Sequence, residues 1–424
     1  MDAEREIGIS GYVSSNSGFP GRIKNAPEDF SVDEIPRLPP ADDDGKYLIF
    51  RARIRNWDTN HFVIELAKNL GISKKIITYA GTKDKNAVKT QYFCINTPRG
   101  FPGNFHMKDV DILSSFRSNT MLRLGDLIGN SFRIRIYSEG VMDDRIRAIN
   151  EEIDSSGGFP NFFGPQRFGA TRPITHRVGK FILETDFHAA LMEYLVDPEF
   201  DHEEYRIDFL RTGDVEKALE SYPKHLGFER TILTHMYSGQ DEKEVFRIFP
   251  RNLSMIFVHA YQSYLFNRLL SIRLKSIGNL WEFMEGDIAY PVDIYFNPDK
   301  DKPIPVTRYN LEKMNDLSRK GSVRPTLPVF GYDSVFSQGE QGEVERKLLD
   351  DQKISLSSFR IPEMPELSSK GERRIISARP VDMKVENNVL SFSLGRGIYA
   401  TSLIREYFKG ESIKLEGDQM SPTF

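Results

Sequence analysis

Strand-like sequence stands at both ends of the chain, and helical, charge-rich sequence fills positions 170–370 between them. This constrains the fold, because strands so far apart share a sheet only if the intervening chain folds by itself and returns. Near the start, Phe30 and Val32 alternate with polar neighbours, and Lys46 to Ile54 alternates with arginines on one face. Further on, Phe132, Ile134 and Ile136 oppose Arg133 and Arg135. Near the end, Met383 to Val385 and Val389 to Leu394 flank a hairpin turn at Glu386-Asn387-Asn388. The pattern predicts an α+β fold with a mixed or antiparallel sheet, split by a large inserted α+β domain. The expected division is 1–169 for the first part of the sheet domain, 170–370 for the insertion, and 371–424 for the part that completes the sheet.

Helices are predicted where apolar residues recur at a period near 3.6. Thr59 is expected to cap one carrying Val63, Leu66, Ala67 and Leu70, which stops at Gly71. Asp143 is expected to cap a second with Ile146, Ile149 and Ile153, and Val178 to Leu195 reads as a third. The strongest pattern runs from Leu253 to Leu274, a core stripe on which His259 is a partner of the core. After Met284 the prolines and glycines suggest a loop-rich β segment, and Ser357 to Lys370 a returning linker. The last helix begins near Leu403, capped by Thr401 or Ser402.

A lone cysteine, Cys94, in the apolar run Tyr92 to Ile95, excludes an intramolecular disulfide and a cysteine-rich zinc site. There is no apolar run of membrane length and no secretory leader pattern, so a cytoplasmic protein is expected. The formal net charge of −4 argues against non-specific coating of nucleic acid, yet arginines and lysines cluster locally. One such cluster is Lys83, Lys85 and Lys89 around Asp84, after the apolar Ile76 to Ala80 and Gly81. Nearby cations favour an ionised carboxylate, able to act as a nucleophile or to hold a ribose; a solvated charged turn is the plainer alternative. A second stretch, Gly158 to Gly169, which also carries Arg167, offers Phe162, Phe163 and Phe168 as stacking faces, and Asn161 and Gln166 as hydrogen-bonding amides, suited to an unstacked nucleobase. An aromatic-anchored connection would have the same composition.

Six blocks in order resemble the TruD family of tRNA pseudouridine synthases, as in a prokaryotic member. They are Lys24 with Pro27-Glu28-Asp29-Phe30; Ala80-Gly81-Thr82-Lys83-Asp84-Lys85 with Ala87, Thr90 and Gln91; Arg123-Leu124-Gly125 with Gly129-Asn130; Asn161 to Gly169; Ser263 with Leu265-Phe266-Asn267; and Tyr399-Ala400-Thr401 with Arg405-Glu406. The resemblance spans nearly the whole chain. It implies a pseudouridine synthase-type catalytic sheet domain interrupted by the TRUD insertion, and isomerisation of a tRNA uridine, at position 13 of the D arm, without any cofactor or metal. Asp84 falls on the family's catalytic aspartate, and Lys24, Asn161, Phe163 and Tyr399 on pocket positions. Lys83, Gln91 and Arg167 belong to the same blocks and are expected to bind substrate or shape the turn. Many relatives carry a Leu-Pro-x-Gly-Ser run where this chain has Leu394-Gly395-Arg396-Gly397-Ile398.

The expected partner is tRNA, with no membrane and no obligatory protein partner. Two other functions fit parts of the sequence: a non-catalytic RNA-binding or tRNA-chaperone protein on the same fold, and a sugar-processing hydrolase. The hydrolase is disfavoured because no second carboxylate adjoins Asp84 in its block.

Overall fold

The structure is a computed structural model that describes residues 3–83, 85–97, 100–101, 105–169 and 172–410. The first part of the chain forms strands β1 (Phe30–Pro36), β2 (Tyr47–Arg55), β3 (Ile77–Tyr79), β4 (Val88–Asn96), β5 (Val110–Ser118) and β6 (Leu127–Arg135), then the short β7 (Phe159–Pro160). The middle contributes β8 (Ile288–Pro291), β9 (Ile304–Pro305) and β10 (Val323–Val329). The end contributes β11 (Glu372–Ile375), β12 (Ser377–Ala378), β13 (Val381–Glu386) and β14 (Val389–Gly395).

The main sheet runs β13-β14-β6-β1-β4-β2-β5, with β3 added on β4, so the two ends of the chain do share one sheet. Its joint is the antiparallel pair β14 and β6, in register from Val389 opposite Arg135 to Gly395 opposite Gly129. Gly129 has to be glycine, because a Cβ there would lie 2.3 Å from the Leu394 carbonyl oxygen. Asn387 and Asn388 both have positive φ, 50° and 60°, which suits a two-residue hairpin turn between β13 and β14. All pairs are antiparallel except β1 and β4, which run parallel over Ser31–Asp33 and Val88–Thr90 only. Beyond Asp33 the two strands part.

Phe30, Val32, Phe132, Ile134 and Phe392 pack with the helices Asp143–Ser155 and Ala400–Phe408 in one core. The helix Thr59–Leu70 covers Phe50, Ala52, Ile54 and Phe93 in a second. The largest core surrounds the helix Arg251–Ile277, and a separate sheet in the order β11-β10-β8-β9 stands where the prolines suggested a β segment.

Four helix ends differ from expectation. Asp58, not Thr59, caps its helix by accepting from the His61 amide, which leaves Thr59 buried and free to bond elsewhere. Asp143 is inside its helix, where its carboxylate accepts from the amides of Asn387 and Asn388 and ties the helix to the hairpin. The span from Val178 to Leu195 is two helices, Thr175–Leu183 and Phe187–Leu195, broken at Thr185 (φ 58°) and restarted by Asp186, whose carboxylate accepts from the Ala189 amide. Tyr399 precedes the last helix without a side-chain cap; Ser402 instead donates to the Phe162 carbonyl.

Candidate active site

Where β1 and β4 diverge, a cavity of about 660 Å³ opens against the centre of the sheet. Phe30 and Val32 on β1 and Asn130 and Phe132 on β6 face it, the loop Ala80 to Lys83 edges it, and Arg167 and Tyr399 close the far side. A second concavity, of about 330 Å³, is lined by Glu184, Asp186, Asp241 and Glu242, two of whose carboxylates are engaged by helix N-terminal amides.

Glu34 stands in the gap between the parting strands. Its carboxylate accepts from the Tyr92 amide at 2.9 Å, from Gln91 Nε2 at 3.3 Å and from Lys83 Nζ at 2.8 Å. Gln91 also donates to the Gly81 carbonyl at 3.0 Å and accepts from Thr59 Oγ1 at 3.2 Å. Thr59 accepts in turn from the Lys83 amide at 2.9 Å, while Lys89 Nζ donates to the Lys83 carbonyl at 3.2 Å. Gly81 makes room for this cluster, since a Cβ would lie 3.1 Å from Glu34 Oε1 and 3.0 Å from Lys83 Nζ. The backbone is therefore held at residue 83, one peptide unit before Asp84. Asp84 itself lies outside the described residues. On its other side, the Ala87 amide donates to the Lys85 carbonyl and the Asn56 amide to the Ala87 carbonyl.

Lys24 lines the cavity with only 5% of its surface exposed. Its φ of 63° is a left-handed conformation that disfavours a residue with a Cβ. Its ammonium lies 4.6 Å from the centre of the Phe30 ring. The turn that follows is fixed by Asp29, which accepts from the Ala26 amide at 2.8 Å and from the Tyr137 hydroxyl at 2.9 Å.

The far wall is built from Phe163, Arg167 and Tyr399. The helix Arg251–Ile277 anchors it. Asn267 accepts from the Phe163 amide and donates to the carbonyls of Phe163 and Ile7, Phe266 meets the Phe163 ring edge-on at 5.5 Å, and Ser263 accepts from Arg167 Nε at 3.3 Å. Phe163 is 6.1 Å from Tyr399, again edge-on, and stands behind it. Gly164 lets the wall close, because a Cβ would come 2.9 Å from Thr401 Oγ1. Arg374 stacks over Phe163 at 4.3 Å and donates to the Asn161 carbonyl, the Asn161 side-chain oxygen and the Gly397 carbonyl. Burial pushes its guanidinium down to about 10, which leaves it charged at neutral pH. Burial, and then Arg167, push His259 down to about 4, so its imidazole is neutral there.

Of the residues singled out in the sequence, Lys24, Lys83, Arg167 and Tyr399 come together on the cavity. Asn161 and Gln91 are buried, with their amides engaged by neighbouring protein groups. Phe163 is nine-tenths buried and supports Tyr399. Sequence reasoning missed Glu34, Thr59 and Arg374 as parts of this arrangement. Glu34 had a signal, since alternation with Phe30 and Val32 places a carboxylate on the inward face of β1. Arg374 had none beyond its place in a basic strand.

The family model described as tRNA pseudouridine synthase D (TruD) matches residues 6–407. The chain belongs to the TruD family. A relative in Picrophilus torridus, designated a probable tRNA pseudouridine synthase D, is 48% identical over 406 residues, covering 95% of this chain and 97% of its own. A relative in Thermoplasma acidophilum with the same designation is 48% identical over 386 residues, covering 91% and 93%. A crystal structure of a protein given the TruD name, from Methanosarcina mazei, superposes with a TM-score of 0.79 at 36% identity, covering 96% of this chain and 98% of that one. Within this TruD chain the segment Leu394 to Ile398 is held closely by its neighbours. A Cβ at Gly395 would lie 2.2 Å from the Tyr295 carbonyl oxygen, and Arg396 donates to the Gly125 carbonyl across the cavity rim. Among the described residues, no helix is long and apolar enough to cross a membrane, and no group of three or more His, Cys, Asp or Glu is placed to hold a metal ion.

Proposed function

We propose that this protein isomerises a uridine of tRNA to pseudouridine, at position 13 in the D arm, with Asp84 as the nucleophilic or acid–base carboxylate. The observation that carries the reading is the TruD match over residues 6–407, in a chain whose backbone is clamped at Lys83 on the edge of the central cavity. The reaction breaks the bond from N1 to C1′, turns the uracil, and forms a bond from C5 to C1′. The C5 proton is lost and N1 gains one, so nothing is oxidised or hydrolysed and the stoichiometry requires no cofactor. In direct attack, Asp84 forms an ester at C1′ that C5 later displaces; in the glycal route it takes the C2′ proton. Lys24, on the cavity, is the cation assigned to orient the carboxylate. Tyr399 offers the stacking face for the flipped base, backed by Phe163, and Asn161 holds that wall through Arg374. Lys83 and Gln91 fix the loop, and Arg167 brings positive charge to the phosphates.

The division into a catalytic part, 1–169 and 371–424, and an inserted domain, 170–370, is supported by β13 and β14 lying beside β6, although β11, just past the second boundary, pairs with β10 of the insertion. A cytoplasmic location, where tRNA is found, follows from the substrate. The test is carbodiimide primer-stop mapping on total tRNA with wild-type protein and Asp84→Asn. Wild type is expected to give one new stop in the D arm, and Asp84→Asn to bind tRNA without giving it. Binding without any modification by wild type would favour the non-catalytic RNA-binding reading.

A further inference from the structure

Leu124 lines the cavity although 71% of its surface is exposed, whereas its neighbours Leu122 and Leu127 are buried. Isolated exposed apolar side chains are ordinary on a protein surface. The place of this one is not ordinary. Tyr309 and Ile294 are more exposed still, at 84% and 74%, but neither is on the cavity.

The loop presenting Leu124 is also firmly built. The Arg123 amide donates to Asp126 Oδ2 at 2.7 Å, the Asp126 amide to the Arg123 carbonyl at 3.0 Å, and Arg396 Nη1 to the Gly125 carbonyl at 2.9 Å. The Gly125 amide donates to the Ala80 carbonyl at 2.9 Å, so the loop carrying Leu124 is tied to the segment that leads into Asp84. Arg37, whose amide donates to the Asp126 carbonyl, and Arg123 are both exposed beside it. An apolar side chain carried on a firmly held rim loop and flanked by arginines is suited to entering a base stack between phosphates. A base that swings out of a folded RNA leaves a gap whose neighbours lose their stacking contacts.

We propose that Leu124 enters the stack vacated by the target uridine and holds the base out in the cavity. The proposal rests on the reading of the protein as a tRNA uridine isomerase. A leucine makes no directional bond, so it tolerates either flanking base. Its contribution is needed only where there is a stack to leave.

The experiment compares wild type, Leu124→Ala, Leu124→Asn and Leu124→Met on the folded tRNA and on a short single-stranded oligonucleotide carrying the same uridine. Leu124→Ala is expected to lower kcat/KM on folded tRNA by about tenfold and to change it little on the single strand. Leu124→Asn, similar in size but polar, should lose as much, and Leu124→Met should recover most of the loss. In an Asp84→Asn background, 2-aminopurine placed next to the target reports unstacking without turnover. Its fluorescence rise on binding should shrink when Leu124→Ala is added. Equal losses on both substrates together with an unchanged fluorescence rise would overturn the proposal. Absence of pseudouridine with wild type would instead count against the isomerase reading, and the fluorescence comparison would still report on Leu124.

Discussion

Lys83 and Glu34 form a buried ion pair, Nζ to Oε1 at 2.8 Å, between the strand that floors the cavity and the loop that leads into Asp84. The Glu34 side chain has no exposed surface and that of Lys83 has 11%. Removing one partner leaves the other charge desolvated and uncompensated, at a cost of about 3 kcal/mol or more. Glu34→Gln is therefore expected to lower unfolding stability by about that amount and to reduce kcat more than it raises KM. In denaturant titrations, the double variant Glu34→Gln with Lys83→Met should be less destabilised than the two single effects added together. Simple additivity would mean that the pair does not couple.

This pair also shows where sequence reading stops. The strand alternation at Phe30, Val32 and Ile134, the Asn387-Asn388 turn and the long stripe ending near Leu274 are local periodicities, and each appears in the structure. Thr59 and Asp143 look like helix caps because a hydroxyl or carboxylate before an apolar run usually finds the first free amides. Here each has a competing partner far along the chain, Lys83 for one and the hairpin for the other. Alternation places Glu34 on the inward face of β1, but its partner, the Tyr92 amide, becomes available only because β1 parts from β4. Glu34 comes from a distant strand and is engaged by Lys83. Such choices depend on which segments meet, and periodicity carries no record of that.

Asn267 holds the aromatic wall by three bonds, from the Phe163 amide at 2.9 Å and to the carbonyls of Phe163 and Ile7 at 3.1 and 3.0 Å. Asn267→Ala leaves a buried amide without its partner, so a loss of about 3 kcal/mol is expected in denaturant unfolding. Because the wall also carries Tyr399, KM for tRNA should rise in the fraction that remains folded. A variant as stable as wild type would show that the wall is held by packing alone.

Lys24 combines a left-handed backbone with a nearly buried position on the cavity. Lys24→Gly removes the conformational penalty, about 1 kcal/mol, while giving the unfolded chain a similar amount of freedom. Stability should thus stay within about 1 kcal/mol of wild type, while turnover falls on the order of a hundredfold as the carboxylate loses its orienting cation. Unchanged turnover with lowered stability would make Lys24 a packing residue.

Glu406 gives the pH dependence of stability a sign. Its carboxylate is fully buried against the N-terminal segment, accepting from the Val13 amide at 3.2 Å, with Arg405 Nη1 at 3.5 Å. Burial pushes it up to about 7, a rise that Arg405, the amides of Ser14 and Val13, and Lys409 only partly offset. A carboxyl raised in the folded state binds its proton more tightly there than in the unfolded chain. Its contribution to stability is therefore full below the ordinary value of 4.5 and is lost as pH rises through about 7. At about 1.4 kcal/mol per unit the loss amounts to about 3 kcal/mol. Glu193, also pushed up to about 7 by burial, acts in the same direction, so the test is a difference between proteins. Between about pH 5 and about pH 8, the unfolding free energy of wild type should fall more than that of Glu406→Gln, by up to about 3 kcal/mol. Parallel curves for the two proteins would show that Glu406 keeps the same proton affinity in the folded and unfolded chain.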